Sequence, residues 1–410
     1  MYKYYLKTNS FFIKIFVILL IVPAYNSHAT AEADEYWKMS VRERAEALGF
    51  GYEEYEVTTE DGYILTLMRI PNGPENPDVT TSKEPILLSH PSYETAETFT
   101  RLGGVYSPAF YLANQGKDVW LSNLRGNAYS QKHINLNPFT DDDYWEFYMD
   151  TVRYDYMAFV EFILENTDYS QVAIVGHSLG GATLGIALAL EPEYFGPRIS
   201  LAILSAPALM MAHCHSQLDV ILGVYPWILE TIRSLGISYF SESSSIIKHF
   251  FYQFCFQIHP LCTGLTALLF AEENPSSLDN DSMDFFLARA FNGVGIRLLQ
   301  HLYQSVRTSQ LTYFDHGIEK NLQVYGTENP PQIPLENINT PLALLWGEFD
   351  GTITDQDAQW VRSKLEQNTI FDHTYEGQSH LSFFMGNSIE EYLDDIIELM
   401  SEYPAANLNA

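Results

Sequence analysis

Gly176-His177-Ser178-Leu179-Gly180 places a serine between two glycines, after the β-rich run 172–175 and before a helix-period segment expected to start near Ala182. A tight strand-to-helix turn of this kind points the serine Oγ outward. It demands small neighbours, because the turn brings Gly176 and Gly180 against adjacent backbone. A serine hydroxyl is a poor nucleophile at neutral pH and needs a histidine to take its proton and a carboxylate to orient that histidine. In the chain order serine, acid, histidine, each partner lies on a loop that follows a strand. Asp350 fits the acid, just past the strand-like run 342–345. Asp355 and Asp357 are rivals, but at the start of the next helix they have a role near its N-terminus. Of the 12 histidines only His373 and His380 follow Asp350. His373 falls inside the strand-like run 370–375, whereas His380 follows it and precedes the C-terminal helix. The predicted constellation is Ser178 as nucleophile, His380 as base and Asp350 as orienting acid.

Attack on an ester creates an oxyanion that preorganised N–H donors must meet. Leu179, next after the nucleophile, supplies one. The other is expected from the loop Ser89-His90-Pro91-Ser92-Tyr93, at Ser92, since Pro91 has no N–H to give. His90 is read as a hydrogen-bonded loop residue without a catalytic role.

These loops need a scaffold. Two alternating β-rich runs, 54–59 and 63–68, flank Glu60-Asp61-Gly62 and predict a hairpin. Short apolar runs at 85–88, 118–121, 172–175, 201–204 and 342–345 read as buried strands of a parallel sheet, with helix-period segments such as 154–165 and 182–190 between them. The alternation predicts one α/β domain with helices on both faces of the sheet. Residues 210–309 break the rhythm with apolar-aromatic stretches, 220–229 and 249–254 among them. We read them as a helical cap inserted between two strands, while periodicity fits further core as well. The organisation expected is a hydrolase core over 30–209 and 310–410, the cap over 210–309, and a leader over 1–29.

The leader reading rests on Lys3 and Lys7 before the apolar run 15–22, then Pro23 and Ser27-His28-Ala29, the pattern of a secretory signal cleaved near Ala29. The apolar run is far shorter than the roughly 20 residues a spanning helix needs, and no later segment offers one. With 410 residues and 46% apolar content the chain fills a large core, which excludes disorder as its dominant state. Its net charge of −30, spread along the chain, repels polyanions and excludes nucleic acid as a partner. Three cysteines without a Cys-x-x-Cys pair exclude the commonest structural zinc sites, and no metal or cofactor is expected. In an oxidising lumen Cys255 and Cys262 are the candidate pair for a small disulfide loop, leaving Cys214 free. Asn280-Asp281-Ser282 is the candidate glycosylation sequon.

The run Gly51-Tyr52-Glu53-Glu54-Tyr55-Glu56-Val57-Thr58-Thr59-Glu60-Asp61-Gly62-Tyr63-Ile64-Leu65, with Arg69-Ile70-Pro71, resembles the entry of the acid lipase family that includes gastric and lysosomal acid lipases. Asn123-Leu124-Arg125-Gly126-Asn127 resembles that family's loop after the fourth strand. Tyr144-Trp145-Glu146-Phe147 with Tyr154-Asp155 resembles the segment leading to the nucleophile. The resemblance runs from about residue 43 to the C-terminal helix and implies an α/β-hydrolase fold, with the triad on Ser178, Asp350 and His380 and oxyanion donors on Leu179 and Ser92. Two departures stand out: Pro91 where the family has glycine, and Leu179 where it has glutamine. Backbone donors survive both, so activity is expected. The resemblance also implies that residues 210–309 form a cap and lid, and its disulfide region agrees loosely with Cys255 and Cys262.

The function expected is a secreted or lumenal lipase, in extracellular fluid or the lysosome, acting on neutral lipid at a lipid–water interface and triacylglycerol first. The alternatives are an esterase for sterol or short-chain esters on the same residues, and a lipid-binding or storage protein without catalysis. Fold alone does not separate them.

Overall fold

A computed structural model describes residues 36, 38–78, 83–101, 106–240, 270–279 and 292–409, with the isolated positions 264, 266, 267, 282 and 286. The leader, Cys255, Cys262, Asn280 and the stretch 249–254 lie outside the described residues.

Nine strands form one sheet: β1 (Glu53–Thr58), β2 (Tyr63–Ile70), β3 (Pro85–Ser89), β4 (Asp118–Ser122), β5 (Lys132–His133), β6 (Val172–His177), β7 (Ile199–Ser205), and, after a two-stranded ribbon of β8 (Tyr239–Phe240) and β9 (Val294–Gly295), β10 (Leu342–Gly347) and β11 (Thr369–Tyr375). Their order is β1-β2-β4-β3-β6-β7-β10-β11, with β5 on β2. The expected hairpin is there: β1 and β2 pair antiparallel from Glu53↔Arg69 to Thr58↔Ile64. Gly62 takes φ +94°, which the turn requires and a β-carbon would strain. From β4 to β11 all neighbours are parallel. Every residue of β3, β4, β6 and β7 is buried, as a strand covered on both faces must be, which is why these runs are continuously apolar rather than alternating.

The covering layers include α1 (Pro108–Asn114), α2 (Arg153–Glu165), α3 (Leu179–Leu190), α4 (Gln217–Val224), α5 (Trp227–Ser234), α6 (Ile296–Leu302), α7 (Asp355–Leu365) and α8 (Glu390–Glu402). Of these, α4, α5 and α6 lie between β7 and β10, with the β8–β9 ribbon. Two sequence expectations change. The helix after the Gly-x-Ser-x-Gly turn begins at Leu179 rather than near Ala182, because Ser178 itself occupies the N-cap position and the glycines enter the first turn. The apolar stretch 220–229 is two helices, not one. Pro226 has no N–H to give and disfavours helical backbone in the residue before it, so Tyr225 leaves the helix at φ −115°, ψ 65°. This break leaves Ile221, Val224, Tyr225 and Trp227 exposed.

Candidate active site

The site assembles at the carboxyl ends of β3, β6, β10 and β11, where strands of a parallel sheet hand over to loops. Ser178 follows β6 directly. Its backbone sits at φ 55°, ψ −116°, a left-handed conformation that a non-glycine residue adopts only when its surroundings force it. Close packing supplies the force. A β-carbon on Gly176 would stand 2.7 Å from the Gly180 carbonyl oxygen, and one on Gly180 would stand 2.5 Å from Ser89 O and 2.7 Å from His90 O. The elbow is thus wedged against its own helix on one side and the loop after β3 on the other.

The three residues singled out for nucleophilic chemistry come together. His380 Nε2 lies 3.0 Å from Ser178 Oγ, and its Nδ1–H donates to Asp350 Oδ2 over 2.7 Å. Asp350 Oδ1 accepts from the N–H groups of Thr352 at 2.9 Å and Ile353 at 2.8 Å, so both carboxylate oxygens are held and the side chain cannot swing away from the imidazole. All three residues are buried. The rivals serve elsewhere. Asp355 is exposed at the start of α7 and accepts from Gln359. Asp357 accepts from the Thr354 hydroxyl and from His213. His373 lies on β11, half exposed beside Glu391.

Leu179 is the first residue of α3, where N–H groups have no partner within the helix. Ser92 lines the same cleft as Ser178 and His380. His90 anchors the loop: its Nδ1–H donates to Pro91 O at 2.8 Å, while Nε2 accepts from Leu124 N–H at 3.1 Å and faces Asn127 Nδ2 at 3.0 Å. Burial pushes its pKa down to about 4, so the ring is neutral and can accept these bonds at physiological pH. The Asn-Leu-Arg-Gly-Asn segment thereby fixes the β3 loop, and Arg125, on the same segment, donates to Asp155 and Asp61.

Three buried groups were not anticipated from the sequence. His177, beside Ser178, packs its ring 4.9 Å from that of His380 and against Phe383 and Phe384. Burial first, and then the nearby His380, hold its pKa well below the usual histidine range, so it packs against His380 as a neutral ring. Asp219 on α4 faces the cleft and the Tyr303 hydroxyl, which pairs with Tyr93 at 2.8 Å. Burial raises its pKa against the hydrogen bonds from Tyr303 and Ser216. Glu272 is buried next to Asp350. Sequence signals for a buried carboxyl are weak, since charged side chains on short helices and connecting segments are ordinarily solvated. The remaining cleft wall is mostly apolar, with Met211, Phe270 and Leu302, and carries Glu94 and Thr352 as further polar members.

Among the described residues no cluster of His, Cys, Asp or Glu is arranged to hold a metal ion. No helix of the described residues is long and apolar enough to cross a membrane. Cys214 is buried and free, its thiol kept protonated by burial and then by the neighbouring Asp219.

A family model described as the alpha/beta hydrolase fold matches residues 102–386, and one described as a partial alpha/beta-hydrolase lipase region matches residues 41–101. The chain is similar to the lysosomal acid lipase/cholesteryl ester hydrolase of Homo sapiens, 32% identical over 376 residues that cover 90% of this chain and 92% of that one. It is 28% identical to a tear acid lipase-like protein of Mesocricetus auratus over 368 residues, 88% of this chain and 90% of the relative. With lipase member K of Homo sapiens it shares 29% over 360 residues, 87% and 89% of the two chains.

Proposed function

The chain belongs to the acid lipase family of α/β hydrolases and is a carboxylic ester hydrolase, and from that premise we propose that it cleaves neutral lipid esters through Ser178, His380 and Asp350. One observation carries the reading: a single imidazole within hydrogen-bond reach of both a strained, turn-borne serine and a doubly anchored carboxylate. In the first half-reaction His380 Nε2 takes the Ser178 proton as Oγ attacks the ester carbonyl carbon, and the carbonyl oxygen becomes an oxyanion facing the N–H groups of Leu179 and Ser92. The imidazolium then gives its proton to the leaving alcohol as the ester C–O bond breaks, leaving an acyl-serine. In the second half, water loses a proton to His380, attacks the acyl carbon, and releases the fatty acid as Oγ recovers its proton. Asp350 keeps Nδ1 protonated throughout, so that Nε2 is the atom that accepts. No cofactor enters the scheme.

A mostly apolar cleft wall suits a fatty acyl chain. The exposed Ile221, Val224, Tyr225 and Trp227 suit a lipid–water interface, which an acidic chain of net charge −30 meets best when that surface is uncharged. We read residues 210–309 as a cap over a core made of 30–209 and 310–410. With residues 1–29 as a cleaved leader, the mature protein works in the lysosomal lumen or outside the cell.

The test is fatty-acid release from emulsified long-chain triacylglycerol by the purified protein, scanned over roughly pH 4 to 8, beside a soluble short-chain ester. Release that vanishes in Ser178→Ala is the expected result. Hydrolysis of the short ester alone would replace the lipid substrate with a small one, and full activity of Ser178→Ala would remove the nucleophile from the scheme.

A further inference from the structure

Residues 270–279 come from between β7 and β10, the part of the chain that carries α4, α5 and α6, yet they lie across the two loops that deliver the acid and the base. On the acid side the Thr352 hydroxyl donates to Phe270 O at 2.7 Å, Gly351 N–H donates to Ala271 O at 3.1 Å, and Glu273 N–H donates to Phe349 O at 3.3 Å. Glu272 forms an antiparallel bridge with Asp350 itself. On the base side Asn274 Nδ2 donates to Gly377 O at 2.7 Å, and Asn274 N–H donates to Ser379 Oγ at 3.1 Å. Further along, Asp279 N–H donates to Met385 O, and Asn387 N–H to Ser277 O, each over 2.8 Å. This strap ties the Asp350 loop to the His380 loop a second time, beside their direct bonds from Phe349 N–H to Gln378 O at 2.8 Å and from Gly377 N–H to Glu348 Oε2 at 2.9 Å.

Glu272 is its one ionisable side chain turned inward. It is 2% exposed, and Oε1 accepts the N–H of Leu381, the residue after His380, over 3.0 Å. Oε2 has no hydrogen-bond partner among the described residues. The groups facing Glu272 are Asp350 from the acid loop and, from the base loop, the Leu381 N–H and the Ser379 side chain, with the His380 imidazole held on Asp350; none supplies a standing positive charge. Its neighbour Glu273 instead faces His215 in an exposed pair. A carboxyl dried out next to a second carboxylate favours its neutral form. Burial first and Asp350 second push the Glu272 pKa well above the usual carboxylate range.

We propose that Glu272 is a positioning residue for the acid–base pair, one that clamps the His380 loop to the Asp350 loop while it is protonated and releases it on ionisation. Ionising it would place an uncompensated charge beside Asp350, which is relieved when the strap carries Glu272 out toward water. His380 would then lose the contact that fixes the start of its following turn. The inference rests on the reading of Asp350 and His380 as the acting pair.

The experiment measures kcat and KM on a soluble short-chain ester from pH 4 to 9, together with thermal unfolding, for the full chain and for Glu272→Gln and Glu272→Leu. Glu272→Leu, which packs but cannot accept, should lower kcat about tenfold at every pH with KM little changed. Glu272→Gln, which accepts the Leu381 N–H and cannot ionise, should recover most of that loss at acidic pH and move the alkaline limb of kcat up by about one pH unit or more. Unfolding carries the matching sign. A carboxyl whose folded pKa is raised keeps its proton while the unfolded chain has lost it, so stability is full below about pH 4.3 and falls as pH rises. The Tm advantage of Glu272→Gln over the parent should therefore grow with pH. Superimposable alkaline limbs with a constant Tm difference would overturn the titration, and an unchanged kcat in Glu272→Leu would overturn the clamp. Should Glu272→Leu fail to fold, the Gln profile and the two Tm series decide alone. Ser178→Ala separates the layers: its retained turnover would sink the triad reading, whereas a Glu272 failure with dead Ser178→Ala sinks only the clamp.

Discussion

The two sides of the candidate site are held by different means. On the nucleophile side, Ser178 is placed by steric exclusion: β6, α3 and the β3 loop close on glycines so tightly that the backbone has one way to turn. On the acid–base side, Asp350 is held by N–H groups of its own loop, and that loop and the one carrying His380 are braced by hydrogen bonds to a segment about 80 to 110 residues away in the chain. Close packing is short-ranged and written in residue size, so it survives only if no atom is added. A hydrogen-bonded strap is written in donors and acceptors and responds to protons. One half of the site is thus a rigid feature of the sheet, while the other is a pair of loops joined by hydrogen bonds and braced by residues 270–279.

The largest expected effect tests whether the second side matters as much as the first. Asp350→Asn should lower kcat by about 10³- to 10⁴-fold, while Asp355→Asn stays within about twofold on the same ester. The reverse ranking would move the acid to α7. Next comes the pH response of the first side. A histidine whose folded pKa is depressed to about 4 stays neutral while the unfolded chain takes up a proton. His90 therefore lowers stability as pH falls from about 6.5 to 4, on the order of 3 kcal/mol in all, and a Tm series of His90→Gln should be flatter over that range. Equal slopes would mean the ring is not the titrating group. Gly180→Ala should then cost about 1–3 kcal/mol in chemical denaturation, because its methyl meets two carbonyl oxygens of fixed backbone, with a steep loss of activity. A neutral result would show the elbow to be softer than its packing. The smallest effect belongs to the strap: Asn274→Ala removes one donor to Gly377 O and should cost about 1 kcal/mol with a few-fold drop in kcat. An effect as large as that of Gly180→Ala would erase the distinction between the two sides.

The same contrast governs what was legible in the sequence. The sheet strands announced themselves as apolar runs, because burial on both faces leaves no polar position. The elbow announced itself because steric exclusion needs glycine, a residue type visible without structure. Asp350 and His380 could be narrowed down by chain order and by the loops they occupy. Glu272 could not, since among 52 acidic residues nothing local separates a solvated glutamate from one that tertiary packing dries out. Asp219 was missed for the same reason. The helix break at Tyr225–Pro226 is legible in the proline inside the apolar run 220–229, although the run's continuous apolarity masks it.

The left-handed backbone at Ser178 has a consequence for anyone ranking variants of this protein by heat resistance. A side chain held there stores on the order of 1–3 kcal/mol that glycine, free to take φ 55°, does not. A Ser178→Gly chain should therefore melt higher than its parent while hydrolysing nothing. Any selection scheme that rewards thermal robustness alone would enrich dead protein at this position, and a turnover readout has to accompany it.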